Sequence, residues 1–353
     1  MYNNHWGFNK KPFENTPDPQ FMYYSKQHVE ALSRLLYAVG QKKGAAILTG
    51  EYGSGKTVIS RIIANKLLQK ENEYNIALIV NPAISTIEML REILYQFGGE
   101  TGKESQKIEI LRLLNERLYE NMRAERHAVI MIDEAQAIDS ESVFEEIRLL
   151  LNFQSNDKFL LTLLLLGQPE LKQKVGRIPQ LEQRFSVKYH LNNLNFEETI
   201  NYIQHRCQTA GRKERIFTDS AYKLIHKISA GIPRKINNIC DISLMLGYAK
   251  KLEIIDEDII KAVAEDLKEY KQNASNISKN YLYKDELLVK LENYKIRYNL
   301  TWYQVTRQLQ IPENYIYRWR KKDKITGAYK RIIDQFLREK VQGGLLRTEL
   351  VSK

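Results

Sequence analysis

Ala45-Ala46-Ile47-Leu48-Thr49-Gly50-Glu51-Tyr52-Gly53-Ser54-Gly55-Lys56-Thr57 decides the fold. The apolar run Ala45 to Leu48 reads as a short buried strand, and Gly50 to Thr57 is a complete phosphate-binding loop. A strand that turns through glycines into a helix aims several backbone N–H groups at one spot, against the positive end of the helix, where a nucleotide's phosphates can sit. The helix follows as required, with Val58, Ile59, Ile62, Ile63, Leu67 and Leu68 spaced for one buried face. In this pattern Gly50, Glu51, Tyr52, Gly53, Ser54 and Gly55 form the cradle. Lys56 reaches the β- and γ-phosphates of ATP, and the Thr57 hydroxyl ligates magnesium.

Working outward, apolar runs at Ile76 to Val80, Ala128 to Ile132, Leu160 to Leu166 and Val187 to Leu191 alternate with helical patterns at 86–97, 108–123 and 142–151. Runs without polar alternation, separated by helices, predict an α/β fold with a parallel sheet covered on both faces. The third run ends in Asp133-Glu134, a second half for a hydrolysis site. Asp133 holds the metal shell, and Glu134 polarises the attacking water from the strand tip. Gln168 follows the Leu160 to Leu166 strand and reads equally as a γ-phosphate sensor or a turn residue. Arg184, just before the last strand, reads as an arginine finger reaching a neighbouring subunit or as a partner in a surface ion pair. Arg234 starts a helix after Gly231-Ile232-Pro233, an end that normally prefers acids, so it invites either a phosphate or a carboxylate.

From Asn195 onward only helical patterns remain, and the reading is a nucleotide-binding α/β domain over 1–195, a helical lid over 196–270, a polar linker over 271–283 and a basic unit over 284–353. The formal charge of +11 is concentrated at the end: residues 271–353 hold 18 Lys+Arg against 8 Asp+Glu. A local basic surplus of this kind attracts nucleic acid or an anionic surface. Phe159 to Leu166 is the longest apolar stretch, far short of the roughly 20 residues of a membrane span. The polar start Met1-Tyr2-Asn3-Asn4-His5 does not read as a signal peptide, so the expectation is a cytoplasmic protein without membrane insertion. Cys207 and Cys240 lack ligand spacing and read as reduced core residues.

Trp6-Gly7-Phe8, Pro12-Phe13, Thr16-Pro17-Asp18-Pro19-Gln20-Phe21, Ser25 with His28, Glu30-Ala31-Leu32, the phosphate loop, Ile132-Asp133-Glu134-Ala135-Gln136, Gly167-Gln168-Pro169-Glu170-Leu171 and Leu181-Glu182-Gln183-Arg184-Phe185 together resemble the ExeA (general secretion pathway protein A) group of AAA+ ATPases. The resemblance covers roughly residues 1 to 268. It implies a three-layer sheet with the phosphate-loop strand central, nucleotide at subunit interfaces, and ATP-dependent rings or filaments. It further implies Gln168 as the first sensor, Arg184 as a finger acting in trans, Arg234 as the second sensor, and His28 with Pro17-Asp18-Pro19 near the adenine. The group is split between secretion or pilus-assembly ATPases and members similar to the transposition ATPases TniB, TnsC and MuB, which coat DNA and recruit a transposase.

Residues 300–322 resemble a repressor-type helix-turn-helix, with Val305, Leu309, Ile311, Ile316 and Trp319 placed to pack two crossing helices. Pro312 suits the start of the second helix. Glu313, Asn314, Tyr317 and Arg318 then face base edges, and Arg320, Lys321, Lys322 and Lys324 face phosphates. Thr306 replaces the usual small residue and Gln310 the turn glycine, at about 1 kcal/mol if the turn is left-handed. The expectation is an ATP-dependent, self-associating ATPase acting on or beside double-stranded DNA. Two alternatives stand beside it: a secretion or pilus-assembly ATPase whose basic tail binds a protein or membrane partner, and a nucleotide-switched DNA-binding regulator.

Overall fold

In the computed structural model the first elements are α1 (Tyr2–Trp6), α2 (Lys26–Gly40), β1 (Ala45–Gly50), α3 (Lys56–Leu68), β2 (Tyr74–Ile79), α4 (Thr86–Gln96), α5 (Lys107–Arg123) and β3 (His127–Ile132). They are followed by α6 (Glu141–Leu150), the short pair β4 (Gln154–Ser155) and β5 (Lys158–Phe159), β6 (Leu161–Gly167), α7 (Glu170–Gly176), α8 (Pro179–Glu182) and β7 (Phe185–Leu191). Helices α9 (Phe196–Thr209), α10 (Asp219–Ser229), α11 (Pro233–Ala249) and α12, over 257–267, follow. The structure describes residues 2–16, 18–102, 105–155, 158–267, 285–297, 300–312, 315, 316, 318, 319, 325, 327 and 329–345. The chain divides into two units, Met1–Glu265 and Asp266–Lys353.

The five-stranded sheet has the order β2-β3-β6-β1-β7, and every pairing in it is parallel. Strands β1, β3 and β6 are buried at every position, which is why their sequences show no polar alternation. Ala128, Ile130 and Ile132 face the core built with α4, α5 and α6, while Val129 and Met131 face the core built with α2 and α3. The edge strand β7 does alternate, with Ser186, Lys188 and His190 exposed. The strand carrying the phosphate loop is interior but not central. The middle place belongs to β6, because only β7 is added beyond β1 whereas β3 and β2 extend the other side.

Local signals set the helix starts. Ser25 accepts from the His28 backbone N–H at the start of α2, and Ser85 with Glu88 and Asn195 with Glu198 form capping boxes for α4 and α9. The amino-terminal segment is fastened to the helical part. Trp6 is buried and its Nε1 donates to Leu244 O at 2.9 Å, and Arg206 donates to the carbonyls of Pro12 and Glu14. Cys207 and Cys240 are free and buried, and burial pushes the Cys207 thiol up to about 12, so both are un-ionised packing residues. Among the described residues no helix is long and apolar enough to cross a membrane.

The second unit contains α13 (Glu286–Arg297), α14 (Trp302–Leu309) and a final helix, Tyr329–Leu345. Leu288, Leu291, Val305, Leu309, Ile311, Ile316, Trp319, Ile333 and Leu337 form its core. Thr301 and Gln304 cap α14, and the helix ends on Gln310 in the left-handed region at φ 55°. The left-handed turn is therefore made without glycine, its N–H bonding back to Arg307 and Thr306 carbonyls. Arg318 is exposed, whereas Glu313, Asn314, Tyr317, Arg320, Lys321, Lys322, Lys324 and the linker 271–283 lie outside the described residues.

Two stability outcomes follow from this packing. Gln310→Gly relieves the left-handed strain and stabilises the second unit by about 0.5–1 kcal/mol, measured as slower amide exchange along α14 in the full chain. His127, 3% exposed, is hydrogen-bonded to the Thr162 hydroxyl at 2.8 Å, and burial pushes its imidazole down from 6.5 to about 4. The folded chain therefore favours the neutral ring. This contribution is complete above pH 6.5 and is lost as the pH falls toward 4. Urea titrations at pH 7.5 and 4.5 should show the stability gap between wild type and His127→Gln narrowing by about 2 kcal/mol on acidification. A gap that does not change with pH contradicts a buried neutral His127.

Candidate nucleotide site

Beyond β1 the chain can reach α3 only through a tight turn, and its backbone shows how. Gly53 and Gly55 take φ values of 83° and 104°, and Gly55 immediately precedes the first residue of α3. A Cβ at Gly55 would lie 2.9 Å from His28 Nε2, and one at Gly53 would lie 2.5 Å from the Cβ of Arg234. Both positions therefore need glycine for conformation and for space. The loop's N–H groups and the α3 dipole converge on a cavity of about 340 Å³ lined by His28, Tyr52, Gly53, Ser54, Gly55, Lys56, Thr57, Glu134, Tyr202, Arg206 and Arg234 among others.

Lys56 is buried at 4% exposure, and its Nζ donates to the carbonyls of Gly50 and Glu51, each at 2.9 Å. Burial pushes its amino group below the usual lysine range, with Glu134 and Asp133 pulling it back toward the charged form. Asp133, at the tip of β3, is 2% exposed, and burial raises its carboxyl although it accepts from the Glu134 N–H at 2.9 Å and from the Thr57 side chain. The buried Ser54 Oγ has no hydrogen-bond partner. A buried cation, an unsatisfied loop hydroxyl and a hydroxyl–carboxylate pair fit a triphosphate with a hard divalent cation held through Thr57 and Asp133.

The sheet order explains which residues meet. Strand β6 lies between β1 and β3, so Gln168 just beyond it stands beside Glu134 just beyond β3, with Gln168 Nε2 3.4 Å from Glu134 Oε2. Arg234 closes the cavity from the helical side: its backbone N–H donates to Gly53 O at 3.3 Å, and its guanidinium bonds Tyr52 Oη at 2.6 Å while stacking on that ring at 4.8 Å. His28 sits beneath the loop. Its Nε2 faces Ser54 O at 3.1 Å and its Nδ1 faces Ser25 Oγ at 2.6 Å, and burial lowers its pKa, so the neutral ring donates to the loop carbonyl. Arg184 stands apart from the cavity. It precedes β7, at the opposite end of the sheet from the phosphate loop, and donates to Asn152 Oδ1 at 2.9 Å.

Three contacts have no signal in the sequence. Tyr52 as the partner of Arg234 joins positions 182 residues apart. Gln136 bridges Glu134 and Gln168, and Lys174 donates to the carbonyls of Gln136 and Ile138, both at 2.7 Å. Gln136 stands in the Asp133-Glu134-Ala135-Gln136 motif, but spacing alone gives it no task.

Residues 39–175 match the sequence profile of the AAA domain family, and the sheet, the loop and the strand-tip carboxylates are those of an AAA+ P-loop NTPase fold. General secretion pathway protein A of Aeromonas hydrophila is 37% identical over 268 residues, covering 75% of this chain and 48% of that protein. Cdc6p of Pyrobaculum aerophilum has a similar structure, with a TM-score of 0.57 at 15% identity, covering 92% of this chain and 98% of that one. The Aeropyrum pernix ORC1 protein in complex with DNA gives 0.58 at 14% identity, covering 95% and 88%. At these identities the structural likenesses speak for the fold. The chain spans about half the length of the curated relatives it matches, 48%, 54% and 43% for the first three.

Gly55→Ala should weaken binding of a fluorescent ATP analogue at least tenfold, whereas Gly40→Ala, with open space around its Cβ, should leave it unchanged. Equal affinities for the two variants would contradict the cradle.

Proposed function

We propose that this chain is an ATP-hydrolysing AAA+ ATPase that self-associates with nucleotide and acts on or beside double-stranded DNA through its basic carboxy-terminal unit. The observation that carries the DNA part is the coincidence of the charge surplus over 271–353 with a helix, a left-handed turn at Gln310 and further helical residues at 315, 316, 318 and 319, of which Ile316 and Trp319 share a core with Val305, Leu309 and Ile311. In this reading Glu313, Asn314, Tyr317 and Arg318 meet base edges, and Arg320, Lys321, Lys322 and Lys324 meet phosphates. The Aeropyrum pernix ORC1 protein, whose structure is a complex with DNA, supports the reading by fold analogy alone.

In the nucleotide site Gly50 to Gly55 cradle the phosphates, and Lys56 exchanges its two carbonyl partners for phosphate oxygens. Thr57 and Asp133 would hold magnesium, which would supply charge neutralisation for the transferring phosphoryl group. Glu134 accepts a hydrogen bond from the attacking water, and Gln168 orients the γ-phosphate from the neighbouring strand tip. Arg234 leaves Tyr52 for the phosphates. Arg184, at the far end of the sheet from its own phosphate loop, supplies the positive charge to a neighbour's site, which makes hydrolysis depend on assembly. His28 holds the loop from below.

A second reading has its own support. The relative at 37% identity is a general secretion pathway protein, so a secretion or pilus-assembly ATPase, with the basic unit on a protein or membrane surface, is the alternative. ATPase rates of the full chain against added duplex DNA at low salt separate the two. The proposal predicts stimulation that fades with salt and is lost in the Arg318→Ala/Lys321→Ala/Lys322→Ala variant, and Glu134→Gln should bind ATP but not turn it over. No binding and no rate change with DNA at low salt would favour the alternative.

A further inference from the structure

The turn that carries Glu134 also holds Gln136, on the short 3-10 turn Ala135–Ala137. Its Nε2 donates to Glu134 Oε2, and its Oε1 accepts the backbone N–H of Gln168 at 2.9 Å. Both ends of one planar amide are thus engaged, one on the carboxylate beyond β3 and the other on the backbone just past β6. Gly167 makes room for this: a Cβ there would lie 2.7 Å from Gln136 Oε1. The turn is fixed from outside as well. Lys174 Nζ binds the carbonyls of Gln136 and Ile138, and Glu134 itself is held at φ 51°, a left-handed conformation that costs a non-glycine residue about 1 kcal/mol or more. A strained backbone, a clamped turn and a glycine clearance all serve one arrangement, in which the Glu134 carboxylate cannot rotate without breaking its bond to Gln136.

We propose that Gln136 is a positioning residue for hydrolysis, a strut that sets the orientation of the Glu134 carboxylate and ties it to the backbone at Gln168. A shift of the β6 tip against the γ-phosphate is passed through this amide to the group that meets the water. Orientation of this kind acts on the chemical step and not on nucleotide capture, since the hydrogen bonds of Gln136 run to Glu134, Gln168 and Lys174. The inference rests on the assignment of Glu134 as the water-polarising group.

The test is steady-state ATP hydrolysis by the full chain, with ATP affinity measured separately, for Gln136→Ala, Gln136→Glu and Glu134→Gln. Gln136→Ala should lower kcat about tenfold, with the Kd for ATP within about twofold of wild type. Gln136→Glu keeps the length and the acceptor but sets a second carboxylate against Glu134, so it should lower kcat further at the same Kd. Either variant with wild-type kcat overturns the proposal, and so does a Kd that rises in step with the fall in kcat, the mark of a merely structural role. Glu134→Gln separates the two levels: if it turns over at the wild-type rate, the assignment of Glu134 itself fails, whatever the Gln136 variants show.

Discussion

A parallel sheet buried on both faces leaves only its strand ends for chemistry, and that constraint arranges the rest of this molecule. Strands β1, β3 and β6 have no exposed position, so their polar neighbours must stand beyond the tips. The order β3-β6-β1 then sets three tips side by side: Asp133 and Glu134, Gln168, and the phosphate loop. Because α3 begins at the loop, its unpaired N–H groups add a fixed positive end to the same place. Helix α11, reached through Pro233, lays Arg234 across the open side.

Under the proposed function, the basic unit serves the nucleotide site through the number of copies assembled. A basic unit that binds DNA weakly gains strongly when several copies are held together, since later contacts become intramolecular. An arginine placed at the far end of the sheet from its own phosphate loop suits a site completed by a neighbour. Nucleotide state would then control how many basic units are presented at once.

Most of the sheet was readable because an interior parallel strand has a distinctive sequence, apolar without alternation, and because glycines in a phosphate loop have few other uses. That Lys56, Thr57, Asp133 and Glu134 meet was legible for the same reason, the loop and the strand-tip pair each being recognisable by spacing. What escaped depends on tertiary geometry. The place of β6 at the centre follows from a single strand added beyond β1, which no local pattern states. The Tyr52–Arg234 stack and the Gln136 bridge join residues whose own neighbours in sequence give no hint of the meeting. Trp6 and the residues after it read as motif fragments, while in the fold they bind the amino terminus to the helical part through Leu244 O and Arg206.

The central claim is that nucleotide drives assembly through a site shared between copies, and sedimentation velocity tests it most directly. The full-length Glu134→Gln protein with magnesium and ATP should sediment as a defined oligomer, and the Glu134→Gln/Arg184→Ala protein, or either with ADP, as a smaller species. A protein that sediments identically with ATP, with ADP and without Arg184 would contradict the account.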